Sequence, residues 1–144
     1  MAADARTAHV AGLAGPAFVE LVLDALDTLW ETSPHVSPED RTLFALAVSE
    51  VSTNIATHAD APGEPDVGIT VEVDIEVGAD DLVATFVDTA DPARIDWDAV
   101  TMPDVDSESG RGLALSNAVL DDFEHSGDAS GNTWVLRRRL SPPA

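Results

Sequence analysis

From Val67 to Val77 every second residue is aliphatic: Val67, Ile69, Val71, Val73, Ile75 and Val77 alternate with Gly68, Thr70, Glu72, Asp74 and Glu76. A period of two puts the two sets on opposite sides of a pleated chain, so this stretch predicts an antiparallel strand with one buried and one wet face. Gly78-Ala79-Asp80 supplies a turn. Leu82 to Val87 is then a second strand, more continuously apolar and therefore more central, and the pair reads as a hairpin. Upstream the period lengthens to that of a helix. After an entry at Gly15-Pro16, Val19, Val22, Leu23, Leu26, Leu29 and Trp30 form an apolar stripe, with Glu20, Asp24 and Asp27 on the other face. A second helix is announced by Ser37-Pro38-Glu39-Asp40, an N-cap, a first-turn proline and two acids at the positive end of the dipole. Its stripe is Phe44, Ala47, Val48, Val51 and Ile55, and it ends by Ala59, before the proline- and glycine-containing loop Asp60 to Asp66.

The remaining pattern is weaker. Thr7 to Leu13 suits a short edge strand. Residues 89–109 carry Pro92, Pro103 and many aspartates, which suggests a lid-like loop of a length that compact domains rarely tolerate without a use. Leu113, Leu115, Ala118, Val119 and Leu120 resume helical spacing after Gly110-Arg111-Gly112. Asp122 to Ser126 and Thr133 to Leu140 predict a second hairpin joined by the polar turn formers Gly127 to Asn132. Arg137, Arg138 and Arg139 fit edge protection and counter-charge on its last strand. The expected organisation is an edge-strand or flexible start over residues 1–12, one domain over 13–140 and a tail over 141–144.

Composition narrows the possible functions. The chain has 144 residues, 44% of them hydrophobic but only 5% aromatic, so one aliphatic core is expected. The 27 acids against 7 bases, all arginine, give a net charge of -20. Such a surface repels phosphate backbones and excludes nonspecific nucleic-acid binding; it suits solubility, high salt or a basic protein partner. Without cysteine there is no disulfide, thiol catalysis or thiolate metal site. No apolar run reaches bilayer length and the first residues lack signal-peptide character, so no membrane association and a cytoplasmic location are expected.

Three places carry candidate chemistry. Glu50 and Asn54 sit one turn apart on the second helix, at the border of its apolar stripe. They can rim a core helix, or they can form a general base beside a neutral oxygen ligand for a hard cation such as Mg2+. Asp88 ends a buried strand, where an aspartate serves as turn-former, cap or ligand acceptor. Gly110-Arg111-Gly112 before a helix is either a plain turn or an anion site combining backbone N–H groups, the helix dipole and a forked cation. His58 has no second histidine at ligand spacing and fits a packing or hydrogen-bonding role.

In this order the pieces resemble the GHKL ATPase superfamily, and within it the small anti-sigma-factor serine kinases of the RsbW type. AVSEVSTNIATHA (Ala47 to Ala59) is similar to that family's N box, VDTADPARID (Val87 to Asp96) to its G1 box, SGRGLALS (Ser109 to Ser116) to its G2 box and GNTWVLRRRL (Gly131 to Leu140) to its last strand. The resemblance implies an α+β two-layer sandwich of the Bergerat type, a mixed, mostly antiparallel sheet with three helices on one face. It implies ATP and Mg2+ as cofactors and serine/threonine-protein kinase activity. Glu50 would be the base drawing the proton from a substrate serine, and Asn54 a Mg2+ ligand. Asp88 would accept from the adenine amino group, Gly110, Arg111 and Gly112 would wrap the phosphates, and Thr133 would stand near the base. The implied partners are a sigma factor, an anti-anti-sigma protein of the STAS type and a second copy in a homodimer. Where the family's G1 box has glycine this chain has Ala90, followed by Asp91. That departure supports an alternative, the same fold acting as a protein-binding regulator with weakened or lost ATP binding and no phosphotransfer.

Overall fold

The computed structural model describes residues 6–57, 69–90, 108–128 and 131–141. Its elements are β1 (Arg6–Leu13), α1 (Pro16–Glu31), α2 (Pro38–Thr57), β2 (Thr70–Val77), β3 (Asp81–Asp88), α3 (Glu108–Val119), β4 (Asp122–Asp128) and β5 (Gly131–Arg139). The five strands form one sheet in the order β1-β2-β3-β5-β4, and every pairing is antiparallel. With the three helices this is an α+β fold.

The alternation of β2 holds residue by residue. Val71, Val73, Ile75 and Val77 are buried, while Thr70, Glu72, Asp74 and Glu76 are exposed. The more apolar β3 is the middle strand and buries Leu82, Ala84 and Phe86. From β5, Trp134 and Leu136 join the same layer. The helical half of the core comes from Phe18, Val22, Leu26, Leu29 and Trp30 on α1 and from Phe44, Ala47, Val48, Val51 and Ile55 on α2. Phe18, absent from the sequence-derived stripe, is buried, whereas Val19 and Leu23 sit only partly inside. Each fully buried aliphatic or aromatic side chain contributes roughly 1.5–3 kcal/mol, so this layer dominates the folding energy.

The start of α2 follows the sequence signal. The Asp40 N–H donates to Ser37 Oγ at 3.1 Å, and the Ser37 hydroxyl donates to Asp40 Oδ2 at 3.0 Å. The same Asp40 carboxylate, only 1% exposed, receives the Arg138 guanidinium and the backbone N–H of Ser141. Burial pushes its pKa up. The hydrogen bonds from the Ser141 N–H, Ser37, Arg138 and the Ser141 hydroxyl outweigh that and hold it below the usual aspartate value. Arg138 also donates through Nη1 to the carbonyl of Val119, the last residue of α3. One guanidinium therefore fastens the first turn of α2, the end of α3 and strand β5.

Here the expectation for the three arginines is corrected. β5 is no edge; it lies between β3 and β4. Arg138 makes the interior pin just described, and Arg137 bridges Asp81 on β3 and Asp122 on β4 at 2.9 and 2.8 Å. The hydrogen bonds that Arg137 donates to Asp122 and then Asp81 raise its pKa. The counter-charge role stands, and edge protection does not. The actual edges are β1 and β4. On β1, His9 Nδ1 bonds Asp74 Oδ1 of β2 at 2.7 Å, which raises the histidine pKa.

Candidate functional site

The Arg138 pin fixes where the candidate residues gather. Val119 ends α3 beside Asp40, which begins α2, and α3 packs along α2, so the two helices run back to back. A helix of α3's length spans about 18 Å, and Glu50 and Asn54 lie about 15 and 21 Å up α2 from Asp40. The first turns of α3 thus come level with Glu50 and Asn54. Arg41 sits over the Trp30 ring of α1, so that flank of α2 looks toward α1. Glu50 and Asn54 fall on the opposite flank at 100° per residue. Both are half-buried, and neither has a hydrogen-bond or ion-pair partner among the described residues.

The sheet is aligned by the same pin. Leu82, early in β3, pairs with Arg138, and Asp88 at the end of β3 pairs with Asn132, about 20 Å further along the strand. Asp88 therefore lies at the end of the sheet away from the pin, as Glu50 and Asn54 lie in the half of α2 away from it. Gly110, Arg111 and Gly112 were expected ahead of the helix; instead they lie inside α3, which starts at Glu108. That places Gly110 and Arg111 among the first four residues of the helix, whose backbone N–H groups lack internal acceptors, with Gly112 just beyond. His58 and residues 91–107 of the expected lid, Asp91 among them, lie outside the described residues.

Asp88 is 2% exposed, and its carboxylate accepts from three internal donors. Oδ1 accepts from Asn132 Nδ2 at 2.9 Å and from the backbone N–H of Ala90 at 3.0 Å; Oδ2 accepts from the Trp134 indole Nε1–H at 3.0 Å. The Ala90 bond is a side-chain-to-backbone turn, so the turn-former role of Asp88 is real. Because Asn132 spends its amide donors on Asp88 and the Ala90 carbonyl, its Oδ1 is left to accept from His125 Nε2, at 2.7 Å. The His125 ring lies 4.3 Å from the Trp134 ring, and Phe123 lies 6.4 Å away on the same indole.

The strand thus sets Asn132 and Trp134 beside Asp88, while Thr133 between them pairs with Val87 and Ser126 and turns to the other face. Asn132, Trp134 and His125 were not singled out from sequence. The signal was present: from the core residue Leu136, steps of two lead to Trp134 and then Asn132. Gly131, with φ 139°, opens the strand so tightly against β3 that a Cβ there would stand 1.9 Å from the Asp88 carbonyl oxygen.

These residues fit Mg-ATP unevenly. At the phosphate end, a half-buried carboxylate and carboxamide without internal partners, level with a helix start, suit a hard cation and an anion. No group of three or more histidines or acids able to hold a metal occurs among the described residues, so a cation there would draw its other ligands from phosphates and water. At the base end, the acceptor is present but three internal donors already use it. A cavity of about 110 Å3 at this strand end is lined by Asp88 and Asn132 together with Val87, Ser126 and Thr133. Among the described residues no helix is long and apolar enough to cross a membrane.

Residues 14–138 match the family described as histidine kinase-like ATPase domain. The fold is similar to the crystal structure of the RsbU and RsbW domains of Rv1364c from Mycobacterium tuberculosis, with 23% identity and a TM-score of 0.65 over 96% of this chain and 34% of that one. It is also similar to the histidine kinase domain of the blue-light activated kinase EL346 from Erythrobacter litoralis, with 16% identity and a TM-score of 0.55 over 86% of this chain and 60% of that one. At these identities the likeness is one of fold, and the chain spans only part of either protein. No curated protein matches it.

Proposed function

The chain belongs to the histidine kinase-like ATPase domain family, and from that premise we propose that it is an ATP-binding anti-sigma factor with serine-protein kinase activity toward an anti-anti-sigma partner of the STAS type. The observation that supports this reading is that Glu50 and Asn54 on α2, the start of α3 and Asp88 on β3 each lie at the part of their element away from the Arg138 pin. ATP would supply the phosphoryl group, and Mg2+ together with Arg111 most of the positive charge in a chain without lysine. Glu50 takes the proton of the attacking serine hydroxyl. Asn54 offers its amide oxygen to the cation. The backbone of Gly110, Arg111 and Gly112 faces phosphate, and Asp88 accepts from the base. The fold's likeness to a structure containing an RsbW domain supports the regulatory setting. A sigma factor, a homodimer and a cytoplasmic location complete the proposal.

The test is to incubate the chain with labelled ATP, Mg2+ and a STAS protein of the same genome, then repeat with Glu50→Ala. Transfer to a serine that falls by roughly 10²–10⁴-fold in the variant supports the assignment. Transfer that survives unchanged removes Glu50 as base. The closed state of Asp88 favours a second reading, a regulator that binds protein partners without phosphotransfer. Nucleotide titration decides between them, since the kinase reading demands saturable ATP binding that weakens in Asp88→Asn.

A further inference from the structure

The strand registers fix the face of the sheet turned away from the helices. Where the valines and Ile75 of β2 point into the core, Glu72, Asp74 and Glu76 point out and are exposed. Their cross-strand partners on β3 are Val87, Thr85 and Val83, which pair in turn with Thr133, Val135 and Arg137 of β5. On β4, Glu124 stands opposite Val135 and Asp122 opposite Arg137. This face is therefore banded along the strands: a track of valine and threonine two strands wide, with a column of acids on either side. The wet face of an antiparallel sheet is ordinarily polar across its width, yet here Val87 of the middle strand is 40% exposed. The acids are unequally occupied. Asp74 answers His9 at 2.7 Å and Asp122 answers Arg137 at 2.8 Å. Glu76 and Glu124 have no ion-pair partner among the described residues, and Glu72 has only the second ring nitrogen of His9, at 3.7 Å.

We propose that this face docks a basic amphipathic helix of a protein partner, its apolar stripe lying along Val83, Val87 and Val135 and its lysines or arginines reaching Glu72 and Glu76 on one side and Glu124 on the other. The dimensions agree. β2 and β4 are three strand spacings apart, about 14 Å, and a helix with its side chains is about 10–12 Å across. From Val83 to Val87 is about 13 Å, or roughly nine helical residues, so the stripe meets the track through anchors at i, i+3 or i+4, and i+7. Long basic side chains lay their stems over the margin of the track and carry their charge out to the acids. A second copy of this chain would instead bring the same acidic columns, and a net charge of -20, against themselves. Asp88 faces the opposite side of the sheet, paired with the buried Val71, so this inference stands apart from the nucleotide reading.

The test uses the full chain carrying 13C-methyl valine and, as probe, a synthetic peptide of about 18 residues, long enough to hold a helix, with leucines on one face and lysines on both flanks. Titration is carried out at about 0.15 M salt, where diffuse attraction is screened. The expected result is that the methyl resonances of Val83, Val87 and Val135 move while those of the inward Val71 and Val73 stay. Affinity should fall at least about tenfold in Glu72→Gln/Glu76→Gln/Glu124→Gln and less than about twofold in Glu20→Gln/Asp24→Asn/Asp27→Asn, which removes the same charge from the exposed side of α1. A peptide with serine in place of leucine should bind as weakly as the first variant allows. Equal losses in the two variants, or shifts that spare the three outward valines, overturn the proposal by showing attraction to net charge alone. Shifts of the same methyls with rising protein concentration and no peptide overturn it in favour of a second copy. All six substituted carboxylates are exposed, so both variants keep the fold.

Discussion

Arg138 and Asp40 are 98 residues apart in sequence, yet the guanidinium Nε donates to the carboxylate at 3.0 Å inside the molecule, with Arg138 also reaching the end of α3. Asp40 is 1% exposed and the Arg138 side chain 15%, so neither charge is well solvated once its partner is gone. Removing one member of such a pair costs about 3–5 kcal/mol because the other stays buried and unpaired. Arg138→Ala should lower the stability measured by urea unfolding by that amount. Arg137→Ala, whose partners are more accessible, should cost clearly less.

The same pair makes stability depend on acid. The folded pKa of Asp40 lies below its unfolded value, so the group's contribution is present above the ordinary aspartate range and is lost as pH falls through the folded pKa. Unfolding free energy should therefore decline on acidification below about pH 4. Asp40→Asn should be less stable at neutral pH and show a flatter acid limb, which denaturation at stepped pH would reveal.

His9 acts in the opposite direction. Its pKa is raised, chiefly by the bond to Asp74, so its contribution is full below the unfolded histidine value and disappears as pH rises through the folded one. Amide protection factors along β1 should drop between mildly acidic and alkaline pH, with β3 unaffected. In His9→Gln that drop should vanish.

Gly131→Ala should be costly for a chain position with little side-chain packing to lose. The φ of 139° is one that L-residues rarely hold, and the new Cβ would meet the Asp88 carbonyl oxygen at 1.9 Å. The conformational strain alone is about 1–3 kcal/mol. Calorimetry should show the loss, and the Trp134 indole resonance should move because the end of β3 is forced away from β5.

Much of the fold was legible because its physics is local. The two-residue period of β2, the stripe of α2 and the Ser37 cap each depend on neighbours in sequence, and each was found where expected. What failed to show was pairing. The arginines of β5 looked like edge residues because nothing in GNTWVLRRRL says that β4 lies outside it. Asn132 was not singled out as the neighbour of Asp88 because the side to which a strand residue points is fixed only when the Asp88–Asn132 register is known. The start of α3 was placed late because Gly110 and Gly112 are poor helix formers in isolation and are carried by packing against α2. The site followed the same rule. Glu50, Asn54 and Asp88 were picked out by local pattern, but the indole on Asp88 comes from 46 residues away.

The distance between the Arg138 fastening and the Asp88 end of β3 has an evolutionary reading. Changes near Asp88 leave the clasp untouched at the opposite end of the strand. A lineage could exchange one guest for another, or keep the frame and give up the guest, without relearning how to fold.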